Sequence, residues 1–210
     1  MGKRIKNKPV RPITIFFLRH GDPENPKRLI KGMAAFPLSK KGREQIKAQV
    51  KKLQNERIAA IFTSPALRCQ QTAQLVASVL NQGLPKKSLE GPGGVKIKVT
   101  TQLSEWRSSL DGQPETQAKK MPLTDYNRTF EPKEKVLKRM KEFVKTALSK
   151  YPGERIVAVS HQGPIDLLLF SLAGKDVSQM PGRGLVTKMA ELVKVSLNQE
   201  LQIQKIERMI

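Results

Sequence analysis

The sequence predicts a three-layer α/β/α sandwich with a mostly parallel central sheet. Short apolar runs rich in β-branched residues alternate along the chain with longer segments in which apolar residues recur at helical spacing. Parallel strands need crossover connections, usually helices, and these helices cover both faces of the sheet. With 210 residues and 38% hydrophobic content, the chain can bury one core of ordinary size. We therefore expect one α/β domain.

The predicted strands are short apolar runs bounded by turn residues. They cover 13–18, 58–63, 95–100 and 155–160, and two late runs, 190–197 and 201–206, predict a terminal hairpin. In 95–100, valine and isoleucine alternate with lysine, which is typical of an edge or half-exposed strand. Before the first strand, residues 1–12 contain basic but no acidic side chains and predict a flexible tail.

Helix signals lie between these strands. Ser39 is the expected N-cap of the first helix, and Ser64 followed by Pro65 is expected to start the second. Residues 133–150 form a strong amphipathic pattern. Residues 165–172 are nearly all apolar, so we expect that helix to be buried on most sides.

The segment 101–131 has only a weak pattern, because glycines and prolines interrupt it. A long, weakly patterned stretch inside a compact domain is often a lid or a specificity insertion. We therefore predict that residues 13–210 form one domain with such an insertion around 101–131.

The net charge of +21 is the unusual global property of this chain. It is compatible with nucleic acid, an anionic membrane surface or an acidic small-molecule substrate. Aromatic residues make up only 5% of the chain and do not alternate with the basic residues, as a base-stacking surface would require. We therefore interpret most of the charge as a solvated surface that favours anions, and do not expect nucleic acid as a partner.

The sequence has neither a membrane-span pattern nor a secretory-signal pattern. No apolar run approaches the length of a membrane span, and the first dozen residues lack the apolar core of a secretory signal. The single cysteine excludes an internal disulfide. We expect a soluble cytoplasmic protein without a membrane partner.

Polar side chains that are rare elsewhere follow three of the predicted strands. The chain has two histidines, and both His20 and His161 stand directly after a strand. Arg19 precedes His20, and Arg68 falls in the first turn of the second predicted helix. If these strands are neighbours, the four side chains converge at one edge of the sheet. Guanidinium groups and a helix N-terminus both favour phosphoryl oxygens, so we predict a phosphate pocket there.

This set of groups predicts phosphoryl transfer with histidine as the nucleophile. A neutral imidazole would attack phosphorus, while the arginines and the second histidine hold the equatorial oxygens. Gly21 would let a ligand approach the backbone closely. An acid must protonate the leaving alkoxide and later activate water. Glu105 is the first candidate, with Asp22 and Asp111 in reserve.

Other interpretations of the same residues stay open. The two histidines with an acid could hold a metal ion, but their spacing matches no local ligand motif, so we expect no metal. Cys69 is interpreted as a packing residue, and Trp106 could either shape the pocket or pack. From a different class of function, the chain could be an inactive protein that binds an anionic partner. The complete set of polar groups argues against that alternative.

The chain closely resembles the histidine phosphatase superfamily, the fold shared by cofactor-dependent phosphoglycerate mutases and many small phosphatases. Five motifs, in the family's order, carry the resemblance: Leu18-Arg19-His20-Gly21, 37–42, 64–73, Leu103-Ser104-Glu105 and 159–163. It implies a phosphoglycerate mutase-like fold and a nucleophile at His20. It also implies a phosphate pocket of Arg19, Arg68 and His161, and a proton donor at Glu105.

The resemblance implies a metal-independent phosphomonoester hydrolase that needs no cofactor and acts through a phosphohistidine on a small phosphorylated substrate. A cofactor-dependent phosphoglycerate mutase is the alternative among enzymes, but residues 106–131 lack the arginine pair expected of mutases, which favours hydrolysis. Four lysines suggest a substrate with negative charge beyond the transferred phosphate: Lys27, Lys31, Lys119 and Lys120. A homo-oligomer is compatible with the terminal hairpin, which could be an interface or a free edge.

Overall fold

The six strands of the described residues form one sheet. A computed structural model describes residues 11–25, 27–82, 94–180 and 187–209. The strands are β1 (Ile13–Arg19), β2 (Ile58–Thr63), β3 (Ile97–Val99), β4 (Arg155–Ser160), β5 (Leu192–Leu197) and β6 (Ile203–Met209). Their order across the sheet is β3-β2-β4-β1-β5-β6. Residues 1–10 of the predicted basic tail lie outside the described residues.

The sheet is mostly parallel, as the sequence predicts. The strands β1, β2, β3 and β4 pair in parallel, whereas β5 runs antiparallel to both β1 and β6. The β5–β6 pair is the predicted terminal hairpin. The predicted edge strand is also confirmed, although it is shorter than 95–100, and Ile97 and Val99 are exposed there.

The helices follow the predicted order with different bounds. They are α1 (Lys40–Val50), α2 (Leu67–Leu80), α3 (Glu115–Lys119), α4 (Leu123–Arg128), α5 (Lys133–Lys150) and α6 (Gln162–Leu172). The two short helices, α3 and α4, lie within the weakly patterned segment 101–131. None of the helices in the described ranges combines the length and apolar character that crossing a bilayer would need.

Two apolar cores cover the two faces of the sheet, which confirms the sandwich. The strand β1 shows the division because its residues alternate in direction. Phe16 and Leu18 pack with buried residues of α1 and α2. Ile15 and Phe17 pack on the other face with buried residues of α5 and α6. Complete burial of one such side chain contributes about 1.5–3 kcal/mol.

The predicted start of the second helix is wrong by two positions. The helix α2 begins at Leu67, and its N-cap residue is Ala66, which offers no side-chain cap. Ser64 Oγ lies 2.8 Å from a ring nitrogen of His161 and accepts a hydrogen bond from the Ala66 N–H at 3.3 Å. The serine therefore contributes to the histidine cluster rather than capping the helix, whereas Ser39 does cap α1 through the Gly42 N–H.

The register between β1 and β4 brings the two histidines together. Arg19, the last residue of β1, stands beside Ser160, the last residue of β4. The His20 N–H continues the ladder and donates to the Ser160 carbonyl at 3.1 Å. His20 and His161 are therefore neighbours at the carboxyl edge of the sheet, where ligands bind in α/β folds.

Candidate active site

His20 is held in one tautomer by its two ring contacts. Its Nδ1 lies 2.7 Å from the Gly21 carbonyl oxygen, which can only accept, so Nδ1 carries the proton. Arg68 Nε donates to His20 Nε2 at 3.1 Å, so that nitrogen has its lone pair available. Burial, and then the charge of Arg68, lower the pKa of His20 to about 3. The ring is therefore neutral near physiological pH, and Nε2 can act as a nucleophile.

Arg68 is completely buried and links the two histidines to a loop. Its Nε donates to His20 Nε2, as described above. Its Nη2 donates to the Gly32 carbonyl at 2.6 Å and lies 3.1 Å from His161 Nδ1. Its Nη1 donates to the Ala34 carbonyl at 3.4 Å. The residue stands in the first turn of α2, so a permanent cation and a helix N-terminus coincide beside His20.

His161 packs edge-on against His20, with 5.2 Å between the ring centroids. Its Nε2 lies 2.8 Å from Ser64 Oγ, and its Nδ1 lies 3.4 Å from Glu105 Oε2. Burial and the neighbouring cations, Arg68 first, lower the pKa of His161. A neutral ring that accepts a hydrogen bond from Arg68 at Nδ1 carries its proton at Nε2. Nε2–H then donates a hydrogen bond to Ser64 Oγ.

Glu105 reaches the site from the loop that follows β3. Its Oε1 accepts a hydrogen bond from the Trp106 N–H at 2.9 Å. Burial raises the pKa of this carboxyl, and the Trp106 hydrogen bond and nearby arginines only partly oppose the effect. A raised pKa favours the protonated carboxyl, which is the form that a general acid needs. The Trp106 ring and Glu105 Oε1 both lie near Gly163, where an added Cβ would be 2.7 Å from the ring and 3.7 Å from Oε1.

Arg19 approaches the site from the end of β1. Its Nη1 donates to the Thr187 carbonyl at 2.6 Å, and its Nε is buried with no hydrogen-bond partner among the described residues. Burial lowers the pKa of this guanidinium, and Glu105 and Asp166 oppose that shift. An unpaired buried donor is costly, so an anion that accepts from Arg19 Nε would be favoured.

The structure shows a packing reason for glycine at position 21, in addition to the predicted close approach of a ligand. A Cβ at Gly21 would lie 2.5 Å from the Gly42 carbonyl oxygen and 3.0 Å from Ile46 Cγ1. A Cβ at Gly42 would in turn overlap the Asp22 backbone. The two glycines therefore allow the loop after β1 to pack against the start of α1, which fixes the direction in which the chain leaves His20.

The hydrogen bonds around the two reserve acids lie away from the histidines. The Asp22 backbone pairs with Ser39 and Gln45. Asp111 Oδ2 accepts from the Met33 N–H at 3.1 Å, and its Oδ1 is buried without a hydrogen-bond partner among the described residues. Glu105 is therefore the carboxyl that the fold brings to His161.

The loop at 27–36 packs on the predicted insertion around 101–131. The Ile30 N–H donates to the Gln113 carbonyl, and the Gly112 N–H donates to the Ile30 carbonyl, both at 2.8 Å. Lys27, Lys119 and Lys120 are exposed on these segments. Lys31 lies close enough for its charge to contribute to the lowered pKa of His20. The two segments form a lobe that contacts the site directly, because the Gly32 carbonyl accepts a hydrogen bond from Arg68.

Asp166 is a buried carboxylate that the sequence reasoning missed. It accepts hydrogen bonds from both the N–H and the hydroxyl of Thr187, whose carbonyl in turn receives Arg19. The signal was present, because a lone acid in a nearly all-apolar helix needs a polar partner. Asp166 thus supports Arg19 through one intervening residue.

We expect Asp166→Asn to change how stability depends on pH. Burial raises the pKa of Asp166 from 3.8 to about 6. A raised carboxyl pKa favours the folded state below about pH 4, and this stabilisation is lost as the pH rises to about 6. Asparagine keeps an acceptor for Thr187 without the charge. Between these pH values the unfolding free energy of the variant should therefore rise relative to wild type by on the order of 2 kcal/mol.

Urea denaturation at several pH values checks this expectation. Equal pH dependence of the two proteins would show that Asp166 titrates normally in the folded state.

Within residues 11–25, 27–82, 94–180 and 187–209, no group of three His, Cys, Asp or Glu side chains is arranged to hold a metal ion. Cys69 is buried beside His161, with Sγ 3.5 Å from Nε2, and burial raises the pKa of its thiol to about 12. The thiol is therefore protonated and unreactive, in keeping with a packing role.

Proteins of known structure share the fold of this chain. A phosphoglycerate mutase of Bacillus anthracis has the same fold, with a TM-score of 0.71 and 19% identity over 95% of this chain and 93% of that one. So does the mycobacterial glucosyl-3-phosphoglycerate phosphatase, with a TM-score of 0.74 and 19% identity over 95% and 98% of the two chains.

Among curated sequences, the "Probable phosphoglycerate mutase GpmB" of Photorhabdus laumondii is 24% identical, over 77% of this chain and 75% of its own length. The family description "Histidine phosphatase superfamily (branch 1)" matches residues 15–205, which include all five candidate site residues, Arg19, His20, Arg68, Glu105 and His161. The chain belongs to the histidine phosphatase superfamily.

Proposed function

We propose that this protein is a metal-independent phosphomonoester hydrolase that forms a phosphohistidine at His20. The observation that carries the proposal is the pair of contacts on the His20 ring. The Gly21 carbonyl fixes the proton on Nδ1, and the unprotonated Nε2 accepts a hydrogen bond from Nε of the Arg68 guanidinium. A phosphoryl group that inserts between Arg68 and His20 would meet a nucleophile on one side and a guanidinium on the other.

In the first step, His20 Nε2 forms a bond to phosphorus as the bond from phosphorus to the ester oxygen breaks. Glu105 gives its proton to the leaving alkoxide, which departs as the alcohol. Arg19 and Arg68 stabilise the charge on the equatorial oxygens. The buried donor at Arg19 Nε and the fork of Arg68 are the groups available for this task.

In the second step, water attacks phosphorus and the P–N bond breaks. The Glu105 carboxylate accepts a proton from that water, and His20 leaves as the neutral ring. His161 lies between Glu105 and Ser64 and packs edge-on against His20, so the Glu105 carboxylate lies close to the reacting histidine. The cycle needs no metal ion, and inorganic phosphate is released.

A phosphoglycerate mutase is the second candidate, because the curated relative described above carries that name. A mutase must return the phosphoryl group to its substrate before water reacts. Hydrolysis is favoured by residues 106–131, which lack a clustered arginine pair to hold a bisphosphate. The basic side chains of the lobe over Arg68 support a small substrate with negative charge beyond the transferred phosphate.

Hydrolysis of p-nitrophenyl phosphate in excess EDTA tests the proposal. We expect turnover that survives chelation. Turnover that stops with EDTA and returns with a divalent metal would contradict the metal-independent mechanism. Incubation of 3-phosphoglycerate with a trace of 2,3-bisphosphoglycerate separates the two candidates. Formation of 2-phosphoglycerate faster than release of phosphate would favour the mutase.

Glu105→Gln should slow esters with poor leaving groups more than esters with good ones. Glutamine can keep the hydrogen bond from the Trp106 N–H but has no proton to give. We expect a loss of about 10²-fold or more with β-glycerophosphate and a much smaller one with p-nitrophenyl phosphate, whose leaving group needs little protonation. The steady-state kcat for both esters is the measurement.

Asp111→Asn is the matched control, because Asp111 was the reserve acid. It should leave the ratio of the two kcat values unchanged. A Glu105 variant that loses activity equally on both esters would show that Glu105 is not the acid.

A further inference from the structure

Arg139 holds the loop that carries Glu105. It lies in the middle of α5, with its side chain 15% exposed, and its guanidinium points at the backbone of that loop. Nη1 donates to the carbonyls of Gln102 at 3.0 Å and Ser104 at 2.7 Å. Nη2 donates to the carbonyl of Glu105 itself at 3.1 Å. One side chain therefore satisfies three carbonyls around the candidate acid.

Glu131 holds Arg139 from the other side. Its carboxylate oxygens accept from Arg139 Nη2 at 3.2 Å and Nε at 3.4 Å. The backbone of Glu131 also contacts the loop, because its N–H donates to the Arg107 carbonyl and its carbonyl accepts from Trp106 Nε1. The ion pair thus fixes the direction of the guanidinium; Arg139 contacts the loop before and at Glu105, and Glu131 contacts the two residues after it.

This arrangement matters because Glu105 lies on a loop. A general acid must stay within hydrogen-bond reach of the atom that it protonates. The Ser160 hydroxyl fixes the beginning of the loop by donating to the Leu103 carbonyl at 2.8 Å. Arg139 fixes the rest and ties it to an 18-residue helix that packs on the core.

We propose that Arg139 is a positioning residue, which keeps the Glu105 carboxyl beside His161 by binding the backbone of residues 102–105. The inference rests on the proposed role of Glu105 as the acid. The site assignments made from the sequence did not include Arg139, since it stands among the many basic residues of α5. Its nearness to Met140 and Val136 on the buried face was the available signal.

A set of variants tests the proposal by steady-state kinetics on β-glycerophosphate and p-nitrophenyl phosphate. We expect Arg139→Met to lower kcat for β-glycerophosphate at least about tenfold, with a much smaller loss for p-nitrophenyl phosphate. Adding the substitution to Glu105→Gln should cause no further loss on β-glycerophosphate, because the acid is already absent. Glu131→Gln should keep most of the activity, since the carbonyl contacts of Arg139 remain.

The matched control is Arg155→Met, which removes a surface arginine paired with Glu56 and far along β4 from the site. It should leave both kcat values near wild type. Equal losses on both esters in Arg139→Met, or losses that multiply with those of Glu105→Gln, would overturn the proposal.

Trp106, the single tryptophan of the chain, gives a readout that does not depend on activity. Its indole and backbone both contact the loop and its partners. Acrylamide should quench its fluorescence more strongly in Arg139→Met than in wild type or Arg155→Met. If wild type hydrolyses neither ester, the proposed function fails, and the quenching still decides whether Arg139 holds the loop. Unchanged quenching in Arg139→Met would overturn the inference about Arg139 alone.

Discussion

His20→Ala should lower kcat for phosphate esters by at least about 10³-fold, because the proposed mechanism has no second nucleophile. His161 cannot take over, since its Nε2 is directed to Ser64 and its Nδ1 to Arg68 and Glu105. Rapid quench of wild type with a labelled ester should also trap a phosphoprotein that is stable to alkali and labile to acid, as a P–N bond is. His20→Ala should form none.

The loss has to be separated from a failure to fold, since His20 is buried and its ring accepts from Arg68. Thermal denaturation followed by circular dichroism shows whether the variant keeps a cooperative transition. Imidazole added to His20→Gly should restore part of the turnover by occupying the space of the ring. Activity of His20→Ala close to that of wild type would refute the mechanism.

Arg68→Lys should have the second largest effect. Lysine keeps the positive charge but cannot reach His20, His161 and the Gly32 carbonyl at the same time, as the planar guanidinium does. We expect kcat/KM to fall by about 10²–10³-fold, the usual cost of one preorganised group at a charged transition state. The free energy of unfolding should fall by about 1–3 kcal/mol because a buried acceptor loses its donor.

The pH profile of an uncharged Arg68 variant adds a directional test. Arg68 is the largest charge that lowers the pKa of His20. In Arg68→Gln that pKa should rise, so the acid limb of kcat/KM should move to higher pH. Lys40→Gln is the control, because Lys40 is an exposed cation at the start of α1. An acid limb at the same pH in Arg68→Gln and wild type would show that Arg68 does not tune His20.

Most of the fold could be predicted because its signals are local. The apolar run of β1 and the N-cap at Ser39 are properties of a few consecutive residues. The start of α2 could not be predicted, because Ser64 has the local pattern of an N-cap but contacts His161, which lies 97 residues away. The short helices α3 and α4 escaped notice because they span only five and six residues.

The candidate site follows the same division. His20 and His161 were predictable, because both follow recognisable strands whose ends must meet if they are neighbours. Arg139 and Asp166 were missed, because each acts on backbone groups supplied by distant parts of the chain. The structure adds a packing reason for Gly21, because the Gly42 carbonyl in the first turn of α1 lies close to it, and the approach of a ligand there stays a prediction. Sequence patterns identify reactive groups better than they identify what holds them.

The contacts of Arg68 with the loop at 32–34 bear on how new substrate preferences could arise in this protein. The arginine binds carbonyl oxygens of Gly32 and Ala34, which every amino acid has. The side chain at Ala34 can therefore vary during divergence while the Arg68 guanidinium keeps its hydrogen bonds to the loop. Gly32 lacks that freedom, because its φ is +35° and a Cβ would overlap the Asp111 carboxyl. Natural variants should accordingly differ widely at position 34 and little at position 32. Substrate preference can then change while the position of Arg68 stays the same.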